Sequence, residues 1–271
     1  MEITFKNITS SYEALNLKDI SIKLESDRII GFYGKESYLL FDILCQKEKY
    51  KGSILLDDVK YTVKNRVGVI KKIYFVPTDI LNYSSWTTVR YLTTIIENYH
   101  LSFKNREKKL KDVCRIVGLN DDDLFKEISI LSKSEQKLLS YAAMLLLNPE
   151  VVIVIEPFQY LDALLSKKIS KLFKLLKENH HKTILFYSQN TDLLYTETDE
   201  CYLFNDGICL KSGQSSKVFQ DVKFLEEHSI PLPKLVHFTY YAKKIKGIKL
   251  FYHRDIKDLI KDIYKHIDFK S

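Results

Sequence analysis

Along the first 75 positions apolar residues recur in short runs separated by turn-forming residues, a pattern that predicts strands at Ile3 to Phe5, Ile20 to Leu24, Ile29 to Tyr33 and Ser53 to Leu56. The apolar stretch Leu39 to Cys45 reads as a helix, so this part runs strand, loop, helix. From Thr87 to Leu147 the spacing changes to a helical one, with charged amphipathic turns around Phe103 to Val117 and a helix entered near Ser134. A helical subdomain over about residues 85–148 follows. Beyond Pro149 strands and helices alternate: strand Val151 to Ile155, helix Leu164 to Glu178, strand Thr183 to Tyr187, then strands near Tyr202 and Ile208. Such alternation predicts an α/β fold built on a mainly parallel sheet. From about Val222 two further helical patterns, split by Pro231 and Pro233 and by Gly247, form a separate tail, so the expected units are 1–221 and 222–271.

Composition changes this picture little. The 271 residues are 45% hydrophobic, enough for a sizeable core and against disorder. A net charge of +7 suits a nucleic acid, an anionic membrane surface or a plainly solvated exterior, and decides nothing alone. Cys45, Cys114, Cys201 and Cys209 form no C-x-x-C pair and no signal peptide is recognisable, so reduced thiols in a cytosol are expected and no metal site. No apolar run approaches the roughly 18 to 20 residues that cross a bilayer, which leaves membrane association to a partner or the surface.

The chemistry sits in one ordered series of motifs. Leu131-Ser-Lys-Ser-Glu-Gln-Lys, an apolar helix, Asn148-Pro149-Glu150 and the strand Val151-Val-Ile-Val-Ile-Glu156-Pro157 resemble the run from signature motif to Walker B of ATP-binding-cassette (ABC) ATPases. Gln159-Tyr-Leu-Asp162 is similar to the D-loop, Thr183 to Gln189 to the strand delivering the switch histidine, and Ile73 to Thr78 to the strand entering the Q-loop. Tyr12 stands where that family stacks an aromatic on adenine. The resemblance spans residues 1–215 and implies a P-loop NTPase-like ABC fold, with an antiparallel β subdomain, a helical subdomain and a C-terminal helical extension.

A phosphate loop needs glycines to aim backbone N–H groups at phosphate, a lysine, and a hydroxyl for magnesium. Keeping the family spacing over Gly31-Phe-Tyr-Gly34-Lys35-Glu36-Ser37-Tyr38 puts Glu36, Ser37 and Tyr38 where glycine, lysine and Ser/Thr belong. A second register reads Gly34-Lys35-x-Ser37 as a shortened loop. Neither supplies the full cradle. By the same resemblance Ile155 replaces the magnesium-holding carboxylate, Thr78 the Q-loop glutamine and Gln189 the switch histidine, while Glu156 keeps the position of the polarising glutamate. A general base without metal or γ-phosphate has nothing to act on. Glu156 equally suits a carboxylate closing a core strand against a neighbouring loop.

The signature acts in trans in this family, on nucleotide held by the opposite subunit. Ser132 is retained, with Lys133 and Ser134 at the glycine positions and Glu135 for glutamine; the same residues also read as a helix cap. A small residue at Ala143, and a tail from Val218-Phe219 through Pro233, Gly247 and Ile256 to Ile263, are similar to the ATPases of energy-coupling-factor (ECF) transporters. There the extension helps hold two ATPases together. The resemblance therefore implies a peripheral subunit on the inner face of the cell membrane, paired with a second, intact ATPase and a transmembrane component. ATP and Mg2+ would lie at the composite interface, held by the partner, in uptake of a vitamin or metal. A hydrolysing ATPase with unusual motifs is the alternative, as is a soluble ABC-like protein acting on ribosomes or nucleic acid. One nucleotide-binding unit without a charged linker argues against nucleic acid as partner.

Overall fold

The computed structural model describes residues 1–12, 15–45, 47–62, 68–69 and 72–267, so the last four positions of the expected extension lie outside it. Two sheets organise the chain. The first is antiparallel, ordered β2-β1-β4-β5 from β1 (Ile3–Tyr12), β2 (Leu15–Leu24), β4 (Lys51–Leu56) and β5 (Val59–Lys60). The second, ordered β10-β9-β3-β8-β7-β6, comprises β3 (Ile29–Tyr33), β6 (Ile73–Phe75), β7 (Val151–Ile155), β8 (Thr183–Tyr187), β9 (Glu200–Asn205) and β10 (Ile208–Gln214). All its pairings are parallel except β9 with β10.

The unbroken apolar runs of β7 and β8 follow from burial on both faces. Successive side chains of a strand point to opposite sides. Thus Val152, Val154, Ile184 and Phe186 enter one core with the large helices, while Val151, Ile153 and Leu185 enter another with β1, β2, β4 and helix α1 (Tyr38–Leu44). On the helical side α2 (Thr88–Asn98), α3 (Arg106–Val117) and α4 (Lys133–Leu147) pack together through residues such as Leu92, Val113, Cys114 and Leu139. Helix α5 (Ala163–His180) connects β7 to β8, and α6 (Thr191–Glu197) lies against β3, where Leu194 and Thr198 crowd Gly31.

The C-terminal segment folds as α7 (Ser215–Gln220), α8 (Val222–Glu227), α9 (Lys234–Lys246) and α10 (Ile256–Ile267). Val222, Leu225, Ile230 and Val236 are buried in the same core as the main sheet, so apolar packing joins this segment to the body. Arg254 adds a polar fastening: its guanidinium donates to the carbonyls of Tyr195, Thr196 and Thr198 at 2.6–2.9 Å, satisfying the otherwise open end of α6. Among the described residues no helix is long and apolar enough to cross a membrane.

Candidate functional site

The carboxyl ends of β3, β6, β7 and β8 converge where ligands of open α/β sheets bind. Between β3 and α1 the chain has almost no loop. Strand β3 takes in Gly31 and extends to Tyr33, and a 3-10 turn over Lys35–Ser37 leads straight into α1, leaving Gly34 alone between them. Gly34 has φ +97°, and a Cβ there would lie 2.1 Å from the Phe204 carbonyl oxygen, so glycine is required by close approach to β9. The Ser37 hydroxyl is fully buried and donates to the Gly34 carbonyl at 2.7 Å. Glu36 is 6% exposed, whereas Lys35 faces solvent. Gly31 serves strand-to-helix packing rather than a turn.

Tyr38, the first residue of α1, meets Tyr187 edge-on at 5.7 Å and Phe75 at 6.3 Å between ring centroids. Three aromatic rings from three segments thus fill the space beside the turn. Lys47 covers the outer side of Phe75, 4.7 Å from its centroid, and pairs with Asp42. Burial, opposed by the hydrogen bond from Gln189 and reinforced by the charges of Glu156 and Glu36, raises the Tyr187 phenol above its ordinary pKa.

Glu156 follows β7 with φ +40°, in the left-handed region. Its carboxylate accepts from the Ser188 hydroxyl at 2.7 Å and the Gln189 amide at 2.8 Å, and its own N–H donates to the Tyr187 carbonyl at 2.8 Å. This is the strand-closing role that the sequence allowed. The Gln189 side chain donates to the Tyr187 hydroxyl at 2.8 Å. Behind Glu156, Lys137 of α4 is 6% exposed and donates to the Ile155 carbonyl at 2.9 Å. Burial lowers its pKa from 10.5 to about 8, with Glu156 pulling the other way. One turn later Tyr141 donates to the Pro157 carbonyl, so two side chains of α4 grip the end of β7. The apolar helix around Lys137 gave no sign of this from sequence, except that a charge interrupts it.

The remaining candidates lie further out. Thr78 lines a cleft with Lys133, Gln136, Lys137 and Tyr160. Tyr12 sits at the end of β1, 45% exposed. Ser132 caps α4 in a reciprocal box: the Glu135 N–H donates to its hydroxyl at 3.2 Å, and the Ser132 N–H and hydroxyl both donate to the Glu135 carboxylate at 2.7 Å. Lys133 is exposed, and the Ser134 hydroxyl is buried without a hydrogen-bond partner among the described residues. Asp162 caps α5 through the Leu165 N–H at 2.8 Å. Geometry therefore gathers Gly34, Glu36, Ser37, Glu156 and Gln189 in one place and leaves Tyr12, Ser132, Lys133, Ser134 and Asp162 outside that cluster.

No family model matches the chain. An ECF transporter ATP-binding protein of Mycoplasma mobile is 31% identical over 171 residues, covering 63% of this chain and 55% of that relative. One from Methanocaldococcus jannaschii is 25% identical over 270 residues, covering 94% and 93%. Among solved structures, a nucleotide-binding cassette of an ABC transporter in its ADP conformation superposes with a TM-score of 0.71 at 18% identity, covering 84% of this chain and 99% of that one. A Clostridium perfringens protein described as part of the ABC transporter complex CbiONQ gives 0.69 at 20% identity, covering 88% and 98%. The fold is that of the ABC ATPases. In sequence the chain is similar to the ATP-binding proteins of ECF transporters.

Proposed function

We propose that the chain is the non-hydrolysing ATPase-like subunit of an ECF-type uptake transporter. In this reading it pairs with an intact ATPase and couples to a membrane component on the inner face of the membrane. The observation that carries the reading is the turn from Gly34 to Tyr38. Its hydroxyl is spent on its own backbone, its buried side chain is a carboxylate, and the adjoining space holds Tyr38, Phe75 and Tyr187. These residues do not fit a magnesium nucleotide: the turn's lysine, Lys35, faces solvent, the family's lysine position holds Ser37, and Ile155 gives the metal no carboxylate. Losing one partner of a desolvated charge pair costs about 2–5 kcal/mol, before repulsion from Glu36 is added. ATP and Mg2+ would be held by the partner, with Ser132, Lys133 and Ser134 facing that nucleotide from the positive end of α4.

The C-terminal segment supports pairing. Helix α10 buries Leu259 but leaves Ile256, Ile260 and Tyr264 exposed at 44–62%, a face suited to a second ATPase. In this reading the transporter takes up a vitamin or metal. The test is Glu156→Gln in the assembled complex. Turnover within about twofold of the parent is expected, because Glu156 closes β7 against residues 188–189; a drop of several hundredfold, the scale of a lost catalytic acid or base, would contradict the reading.

A further inference from the structure

Helix α6 has seven residues, well short of the roughly 12 to 15 that an isolated helix needs to hold itself in water. Its start is capped by Asn190, whose side chain accepts from the Leu193 N–H at 3.2 Å, but its end runs into extended backbone at Thr198 rather than into a left-handed capping residue. The C-terminal extension supplies what α6 lacks, at both ends. Asp192, in the first turn, accepts from the Lys234 N–H at 2.6 Å, where α9 begins. At the last turn the Arg254 guanidinium gives its bonds to the carbonyls of Tyr195, Thr196 and Thr198, and the Tyr195 hydroxyl donates to the His253 carbonyl at 3.1 Å. The same stretch is tied to α10, because the Asp262 carboxylate accepts from the Phe251 N–H at 2.8 Å and lies 3.2 Å from the His253 ring nitrogen. On its other side α6 follows directly on the turn that holds Glu156. There the Ser188 hydroxyl donates to the Glu156 carboxylate at 2.7 Å and accepts from the Asn190 N–H at 3.0 Å. A continuous series of bonds thus runs from α10 to Glu156 through a helix about 10 Å long.

We propose that the C-terminal extension positions the Ser188–Gln189 turn, with Arg254 as the positioning residue and α6 as the element that transmits its grip. Without Arg254 the last turn of α6 frays, and a helix too short to stand alone loosens toward Asn190 and the turn before it. Docking of a second ATPase on α10 would then be felt at Glu156, a consequence that rests on the pairing proposed above. Amide hydrogen exchange, followed by NMR on the full chain without a partner, reads the coupling at Gln189 and Asn190, whose N–H groups bond Glu156 and Ser188. Arg254→Met should speed exchange at both about tenfold while the amides of β7 keep their rates. Arg254→Lys, which keeps a cation for the same carbonyls, should recover most of the protection. Lys223→Met, on the exposed side of α8 in the same extension, should change neither amide. Asp262→Asn leaves the guanidinium in place and should speed both amides about threefold, which carries the test if Arg254→Met does not fold. Unchanged rates at Gln189 and Asn190 in the folded variants, or a rise matched throughout β7, overturn the proposal. Failure of the chain to pair with an intact ATPase in light scattering would instead overturn the function proposed above and leave these rates as they are.

Discussion

Two helix beginnings in this chain are built from similar residues and treated differently. At the start of α1 the serine hydroxyl is sealed inside the turn and the helix has no side-chain cap. At the start of α4 the serine is exposed, capped reciprocally with Glu135, and followed by fifteen helical residues. A helix N-terminus attracts anions only if its N–H groups face open space and its neighbours are not negative. The first end has Glu36 and aromatic rings beside it; the second has an exposed Lys133, and its foremost N–H and hydroxyl are held by the Glu135 carboxylate. The difference teaches that the first serine is sealed into its turn by packing, whereas the second is held only by a surface cap that can exchange partners.

The sharpest way to break the comparison is Ser132→Gly in the reconstituted pair. Glycine is nearly as good a cap, so stability should change by a few tenths of a kcal/mol. If the hydroxyl serves the partner's nucleotide, turnover should fall about a hundred- to a thousandfold, as when a preorganised donor to phosphate charge is lost. Unchanged turnover would make Ser132 a cap and nothing more. Glu135 sharpens the point: its carboxylate now holds the Ser132 hydroxyl, so donation to phosphate requires that bond to open.

At the other helix end, Gly34→Ala should destabilise the fold by about 3 kcal/mol in urea unfolding, since the new Cβ meets the Phe204 carbonyl in a backbone region unsuited to alanine. A neutral outcome would mean that the turn is looser than described and able to open for a ligand. A smaller effect concerns the grip of α4 on β7. Lys137 titrates near 8 in the folded chain against 10.5 ordinarily, because burial disfavours its charge. Between those values the unfolded chain holds more protons, so raising the pH through this window favours the folded state, by roughly 1 kcal/mol per pH unit. Below about pH 8 both states are protonated and the slope vanishes. Lys137→Met should abolish that rise in urea titrations at pH 8 and 9.5; an identical slope in the variant would show that Lys137 keeps an ordinary pKa.

Much of the framework was legible because it is repeated along the chain. The doubly buried runs Val151 to Ile155 and Thr183 to Tyr187 announce parallel strands, and Asn148, in the left-handed conformation, ends α4 just before Pro149. The first strands were read too short: β1 continues to Tyr12 and β2 begins at Leu15, across polar residues held by pairing of Ser10 with Leu17 and Tyr12 with Leu15. Cross-strand bonding, invisible in a single-strand pattern, sets those lengths. The site was legible as a series of family positions but not as an arrangement. Tyr38, Phe75 and Tyr187 come together from α1, β6 and β8, and Glu156 finds its partners at Ser188 and Gln189 on the next strand. No local spacing encodes such contacts. Lys137 was hidden for a related reason, since a lysine is normally solvated and only the fold shows this one turned toward the Ile155 carbonyl.

The central claim is that the Gly34–Tyr38 turn does not accept Mg-ATP, and isothermal calorimetry of Mg-ATP into the full chain, without a partner, tests it most directly. The account predicts no saturable heat below about a millimolar, and the same trace with and without magnesium, because Lys35 faces solvent, Ser37 stands at the family's lysine position and Ile155 offers no metal ligand. A micromolar dissociation constant that depends on magnesium would contradict it.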